Sequence, residues 1–206
     1  MHRVIKNHER VINYFADHAQ VASPDEISRG KRRYHFCQGD VRRVFFIREG
    51  DFLLKLQPEN KILDILSAPF VVGVNPSLDA PPLYLERVDY GKVSYVEYDF
   101  FWKRGLEKGL FRDVMSIMSG QYTDLMNYIL LSKSNSHDQV IALLNRWQKI
   151  PPHLKRRFSA LYLIEHSSYL SKSSISRVLK ELKDSGKLTL ERGRLSQNDN
   201  DDPIII

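Results

Sequence analysis

The residues whose types and spacing could do chemistry cluster near the end of the chain. Ser171, Lys172, Ser173, Ser174, Ser176, Arg177 and Lys180 are interleaved with Ile175, Val178, Leu179 and Leu182 at helical spacing. The spacing predicts a helix capped by Ser171, with apolar side chains on one face and hydroxyls and cations on the other. Lys172, Ser173 and Arg177 sit nearest its start and suit base edges, because arginine can span guanine O6 and N7 and hydroxyls read several edges. Ser176 shares that outer face. Ser174 and Lys180 suit phosphate oxygens, which fix register without reading sequence. Lys187–Glu191 and Arg194–Gln197 flank Arg192-Gly193, a plausible two-residue hairpin, whose Arg192 and Arg194 suit the sugar-phosphate backbone or the minor groove.

The charge distribution isolates the same region. Residues 140–197 hold twelve Lys/Arg and four Asp/Glu, whereas residues 1–139 hold nineteen and eighteen. The basic excess is therefore confined to one C-terminal block, the footprint of a polyanion-binding module or, on charge alone, equally of a solvated Lys-rich surface. Other chemistry is poorly represented. The seven histidines show no metal-ligand spacing, no glycine-rich phosphate loop occurs, and Ser136-His137-Asp138 are adjacent at a helix start and so point apart. No catalytic residue, metal or cofactor is expected. Cys37 is the only cysteine, which excludes an intrachain disulfide and a cysteine-ligated cluster built from this chain alone. It is the one residue able to sense peroxide directly, but a lone cysteine beside Phe36 reads first as a buried small hydrophobe.

These residues need elements to position them. Val4, His8, Val11, Ile12 and Phe15 predict a helix over 4–19, ended by Ser23-Pro24-Asp25. From Arg32 to Val96 short apolar segments alternate with turn residues at Gly39-Asp40, Glu49-Gly50-Asp51, Pro58-Glu59-Asn60 and Asn75-Pro76-Ser77, the texture of an antiparallel roll or sandwich. Leu110, Val114, Ile117, Met118, Gln121, Leu125 and Ile129 predict one long helix ending between Ser132 and Asn135, whose apolar face could be packed core or, the favoured reading, a dimer seam; Gly120-Gln121 interrupts a strict coiled-coil pattern. Three helices follow: Val140, Leu143, Leu144 and Trp147 on the first; Leu154, Phe158, Leu161, Tyr162 and Ile164 on a second starting at Pro151-Pro152; and the Ser171 helix. With the hairpin they make a winged helix-turn-helix. The expected organisation is a sensor-like domain over 1–109, a connecting and dimerising helix over 110–135, the winged helix-turn-helix over 136–198 and an acidic-apolar tail over 199–206. No apolar run approaches the ~20 residues of a membrane helix, and the polar N-terminus is unlike a secretory signal, so a cytoplasmic location is expected.

The stretch Ser171-Lys172-Ser173-Ser174-Ile175-Ser176-Arg177-Val178-Leu179-Lys180 resembles the recognition helix of the cyclic-AMP receptor protein/FNR superfamily. Phe36-Cys37-Gln38-Gly39-Asp40 and Phe45-Phe46-Ile47-Arg48-Glu49-Gly50 resemble the glycine-punctuated start of that superfamily's β-roll. Within it, Ser67-Ala68-Pro69-Phe70-Val71-Val72-Gly73 and Asn135-Ser136-His137-Asp138-Gln139-Val140 are similar to the enterobacterial regulators named for inhibition of hydrogen peroxide resistance. The resemblance implies an α+β chain with an N-terminal cyclic-nucleotide-binding-like antiparallel β-roll, a long dimerisation helix and a C-terminal winged helix-turn-helix. It also implies a homodimer on double-stranded DNA at a palindromic operator, with half-sites about one helical turn apart. The superfamily's phosphate cassette is degenerate here. Val74 follows Gly73 where a glutamate binds ribose, and Pro81-Pro82 stand where an arginine and a small residue are expected. A cyclic phosphate would be left unpaired, so cyclic AMP binding is not expected. An unknown small ligand in the roll stays open, as does the alternative of a ligand- or redox-sensing module acting through a protein partner.

Overall fold

A computed structural model describes residues 2–74, 83–131 and 134–195. The expected turn at Asn75-Pro76-Ser77, the Pro81-Pro82 pair, Ser196-Gln197 and the tail from 199 lie outside the described residues. The chain divides into two compact units, Met1–Leu125 and Met126–Ile206. The stretch expected as a separate helical segment over 110–135 is shared between them.

The first unit opens with α1 (His2–Phe15). His8, Val11, Ile12 and Phe15 are buried, the spacing of one helical face. The strands follow as β1 (Gln20–Val21), β2 (Glu26–Ser28), β3 (Lys31–His35), β4 (Cys37–Gln38), β5 (Val41–Leu56), β6 (Lys61–Ser67), β7 (Phe70–Val72) and β8 (Leu83–Glu97). All pair antiparallel; β5 and β8 form the spine, and the other strands pair with one or the other except β2, which pairs only with β3. Then come α2 (Tyr98–Glu107) and α3 (Phe111–Leu131).

Glu49-Gly50-Asp51 is not a turn. β5 runs straight through it, with register shifts against β8 on either side. Gly50 has φ +81°, and a Cβ there would stand 2.0 Å from the Tyr90 carbonyl oxygen. A Cβ on Gly91 would lie 2.8 Å from the Glu49 carbonyl oxygen. The two strands cross so closely at this kink that only glycine fits either position. A glycine between apolar runs signals a bulge as readily as a turn, and only strand pairing distinguishes them. The turns expected at Gly39-Asp40 and Pro58-Glu59-Asn60 are present.

The sheet buries two cores. On one face Tyr34, Phe45, Phe52, Leu66, Leu85 and Val93 fill the roll. On the other, α1, α2 and α3 pack on Val44, Phe46, Val71 and Val96, with Phe15 stacked between Phe46 and Phe101 at 5.6 and 5.0 Å. His8 stacks on Phe70 at 4.3 Å and its Nδ1 accepts the Val71 amide at 2.9 Å.

That second core takes up part of the stripe expected as a dimer seam. Leu110, Val114 and Ile117 are buried in it, Met118 packs against it, and the Gln121 amide donates to the Val71 carbonyl at 2.7 Å. The buried Leu110, Val114 and Ile117 present no surface to a second copy, whereas Met118 and Gln121 are half-buried. The helix carries two apolar stripes. Phe111, Met115, Tyr122 and Leu125 are exposed at 53, 42, 63 and 43%, and with Met118 they recur at alternating spacings of four and three, a heptad pattern. Gln121 lies on the roll-facing stripe, so it does not interrupt the exposed one. Of the residues expected in a seam, Leu125 and Ile129 are the exposed ones.

The second unit contains α4 (Ser136–Trp147), α5 (Pro152–Arg157), α6 (Ala160–Ser167), α7 (Lys172–Asp184), β9 (Leu190–Glu191) and β10 (Arg194–Leu195). The single helix expected after Pro151-Pro152 is two. Ser159 breaks it and caps α6, its hydroxyl accepting the Tyr162 amide at 3.1 Å. The break rotates the buried face of α6 to Ala160, Leu163, Ile164 and Ser167. Phe158, Leu161 and Tyr162, expected inside, are only half-buried.

Candidate nucleic-acid interface

The interface rests on α4, α6 and α7, which pack on one another through Val140, Leu143, Leu144 and Trp147, Leu163 and Ile164, and Ile175, Val178, Leu179 and Leu182. α4 starts at Asn135, whose side chain accepts the Asp138 amide at 2.9 Å. Between α6 and α7, the Ser168 hydroxyl donates to the Ile164 carbonyl at 2.8 Å and closes the tight turn.

α7 starts at Ser171, which has extended dihedrals and accepts the Ser174 amide at 3.2 Å. The Ser171 hydroxyl also lies 2.9 Å from the hydroxyls of both Ser173 and Ser174. Those hydroxyls therefore help set the cap, and any contact they make to a nucleic acid comes through their remaining lone pairs and protons. Lys172, Ser173, Ser176, Arg177 and Lys180 are exposed, and Ser174 is half-buried. No ion pair holds Lys172, Arg177 or Lys180 among the described residues. With the opposite face locked by Ile175, Val178, Leu179 and Leu182, α7 presents its first two turns as a fixed surface of cations and hydroxyls.

The hairpin β9–β10 has the expected two-residue turn. Arg192 and Gly193 have φ +52° and +79°, the paired left-handed conformation of a type I′ turn. Leu188 and Leu195 are buried and pin its base, while the Gly193 carbonyl accepts the Ala160 amide at 3.0 Å and ties its tip to the start of α6. Arg192 and Arg194 are exposed.

Arg156 and Arg157 were not singled out from the sequence. They are exposed in the last turn of α5, and they extend the basic surface of this unit. The signal available was Ser159 two residues after Arg157, a capping residue ahead of an apolar helix. The other nominated residue, Cys37, lies in the first unit on β4, half-buried and opposite Arg42.

No family model matches the chain, and no curated protein does. Solved structures do. A CooA variant from Carboxydothermus hydrogenoformans superposes with a TM-score of 0.63 at 16% identity, covering 85% of this chain and 80% of that one. The c-di-GMP responsive global regulator CLP of Xanthomonas campestris gives 0.58 at 16%, covering 91% and 97%. FixK2 from Bradyrhizobium japonicum gives 0.55 at 17%, covering 82% and 92%. At these identities the likeness shows the fold alone: a curled antiparallel β-roll, then a long helix, then a helical unit that ends in a two-stranded hairpin.

Proposed function

We propose that this chain is a cytoplasmic transcription regulator that binds double-stranded DNA as a homodimer at a palindromic operator, without cyclic AMP. One observation carries the reading: α7 is capped, locked on its apolar face, and offers exposed Lys172, Arg177 and Lys180 with no ion pair among the described residues. Cations left unpaired on a rigid helix suit a major groove, and Arg192, Arg194 and Arg156 suit the flanking phosphates. The exposed stripe of Phe111, Met115, Tyr122 and Leu125 supports a dimer. At Gly73-Val74, Val74 is a fully buried core residue and supplies no carboxylate for a ribose. A role in the oxidative-stress response rests on the resemblance of 67–73 and 135–140, with Cys37 the residue to replace by serine in peroxide-treated protein.

The test is anisotropy of genomic DNA fragments selected on the purified protein, titrated across salt. Affinity should fall steeply as salt rises, because each neutralised phosphate releases counterions. A flat salt dependence would overturn the reading. Tyr122→Glu with Leu125→Glu should convert a dimer to a monomer in analytical ultracentrifugation.

A further inference from the structure

A second basic surface lies in the first unit, where the totals are nearly balanced. β1, β2, β3, β5 and β8 border a half-open hollow of about 510 Å³, within the range of small-molecule sites. Its walls include Tyr34 and Val93 from the roll core, and Val21 and Ile27, the last two exposed at 86 and 66%. Four cations stand around it, Arg32, Arg48, Arg87 and Lys92, and no carboxylate lines it. Lys92 pairs with the exposed Glu49 at 2.9 Å, a surface contact that exchanges readily. No ion pair engages Arg32, Arg48 or Arg87 among the described residues. The hollow shares no residue with Gly73-Val74 or with α3.

Four cations brought together from three strands repel one another, and the apolar wall beside them stays wet. An occupant that is anionic at one end and apolar along its body relieves both. We propose that this hollow binds a small anionic amphiphile, an organic acid with an apolar body, its acid group held by Arg32 and Arg87 and its body lying on Val21, Ile27 and Val93. The site stands apart from the DNA-binding reading, because its test uses no DNA.

The probe is sodium decanoate, kept below micelle formation and titrated calorimetrically into the full chain. Decanol and decyltrimethylammonium share the body and lack the negative charge. Saturable decanoate binding is expected, weakened about tenfold in Arg32→Gln/Arg87→Gln and in Val21→Asp/Ile27→Asp. All four side chains are exposed or half-buried, so unchanged melting curves will show that the variants fold. Three results would each overturn the proposal: no decanoate binding, equal binding of decanol, or unaltered binding in the arginine variant. Sedimentation with phosphatidylglycerol vesicles in the absence of decanoate binding would assign the surface to a membrane instead, and the proposal would fail.

Discussion

The two units use the same charged residues in opposite ways. In the first, a set of cations is consumed by the fold. Lys55 and Glu86 are both buried and 2.9 Å apart, with Arg33 and Lys31 on the same carboxylate at 3.3 and 3.4 Å. Arg43 meets Asp25 at 2.9 Å, and Arg10 meets Asp113 at 3.2 Å. In the second unit the cations of α7 and the hairpin stand in solvent. A cation matched inside its own fold has little left for a partner; an unmatched one, held on a rigid element, is a binding group. The hollow on the roll gathers Arg32, Arg48, Arg87 and Lys92 on one surface of the first unit.

Breaking the roll's charge cluster should give the largest effect. Burial pushes the Glu86 carboxyl up, but its hydrogen bond and charge pairing with Lys55 outweigh this and hold it below its ordinary value. Glu86→Gln strands a buried ammonium beside two other cations and should cost about 3–5 kcal/mol, read as a lowered urea midpoint. DNA affinity of the folded protein should not change; if it fell in step, the two units would not be separable in this way.

His8 sharpens the same contrast through pH. Burial lowers its pKa to about 4 from 6.5, and its Nδ1 already accepts the Val71 amide. The unfolded chain takes up this proton below pH 6.5, whereas the folded chain resists it until about pH 4. Stability is therefore lost as pH falls through that window, by about 3 kcal/mol in all. The loss should appear in denaturant melts at stepped pH and be largely absent in His8→Asn. Equal pH dependence in both proteins would place the titrating group elsewhere.

On the winged-helix side, Arg177→Ala should leave stability within about 0.5 kcal/mol. It should weaken binding to the selected DNA by about 1–3 kcal/mol and relax base preference at one position. Lys180→Ala should weaken all sequences alike and reduce the log–log salt slope by about one. Exchange of these two phenotypes would reverse the assignment of reader and phosphate contact. The smallest effect belongs to Ser171→Ala, which removes the α7 cap at a cost of about 1 kcal/mol and should lower thermal stability while leaving the salt slope unchanged.

Local features were legible in the sequence because their causes are local. Ser171 caps α7, Arg192-Gly193 turns the hairpin, and Ile175, Val178, Leu179 and Leu182 mark the buried side of α7; each needs only neighbours a few residues away. The confinement of basic charge to residues 140–197 is likewise composition alone. Ser159 was legible in principle, as a capping residue inside an apolar run, but the apolar spacing across it reads as one continuous helix.

Tertiary structure decided the rest. Gly50 is a bulge because Tyr90, forty residues away, needs the room a Cβ would take. The apolar residues of α3 divide into two stripes because one of them meets Val71 and Phe46, and spacing along one helix does not say which stripe meets the sheet. The hollow collects Arg32, Arg48, Arg87 and Lys92 from three strands, a convergence that exists only after the strands pair. Periodicity names the faces of an element; the partner that covers each face, or leaves it bare, is chosen by contacts between residues far apart in the chain.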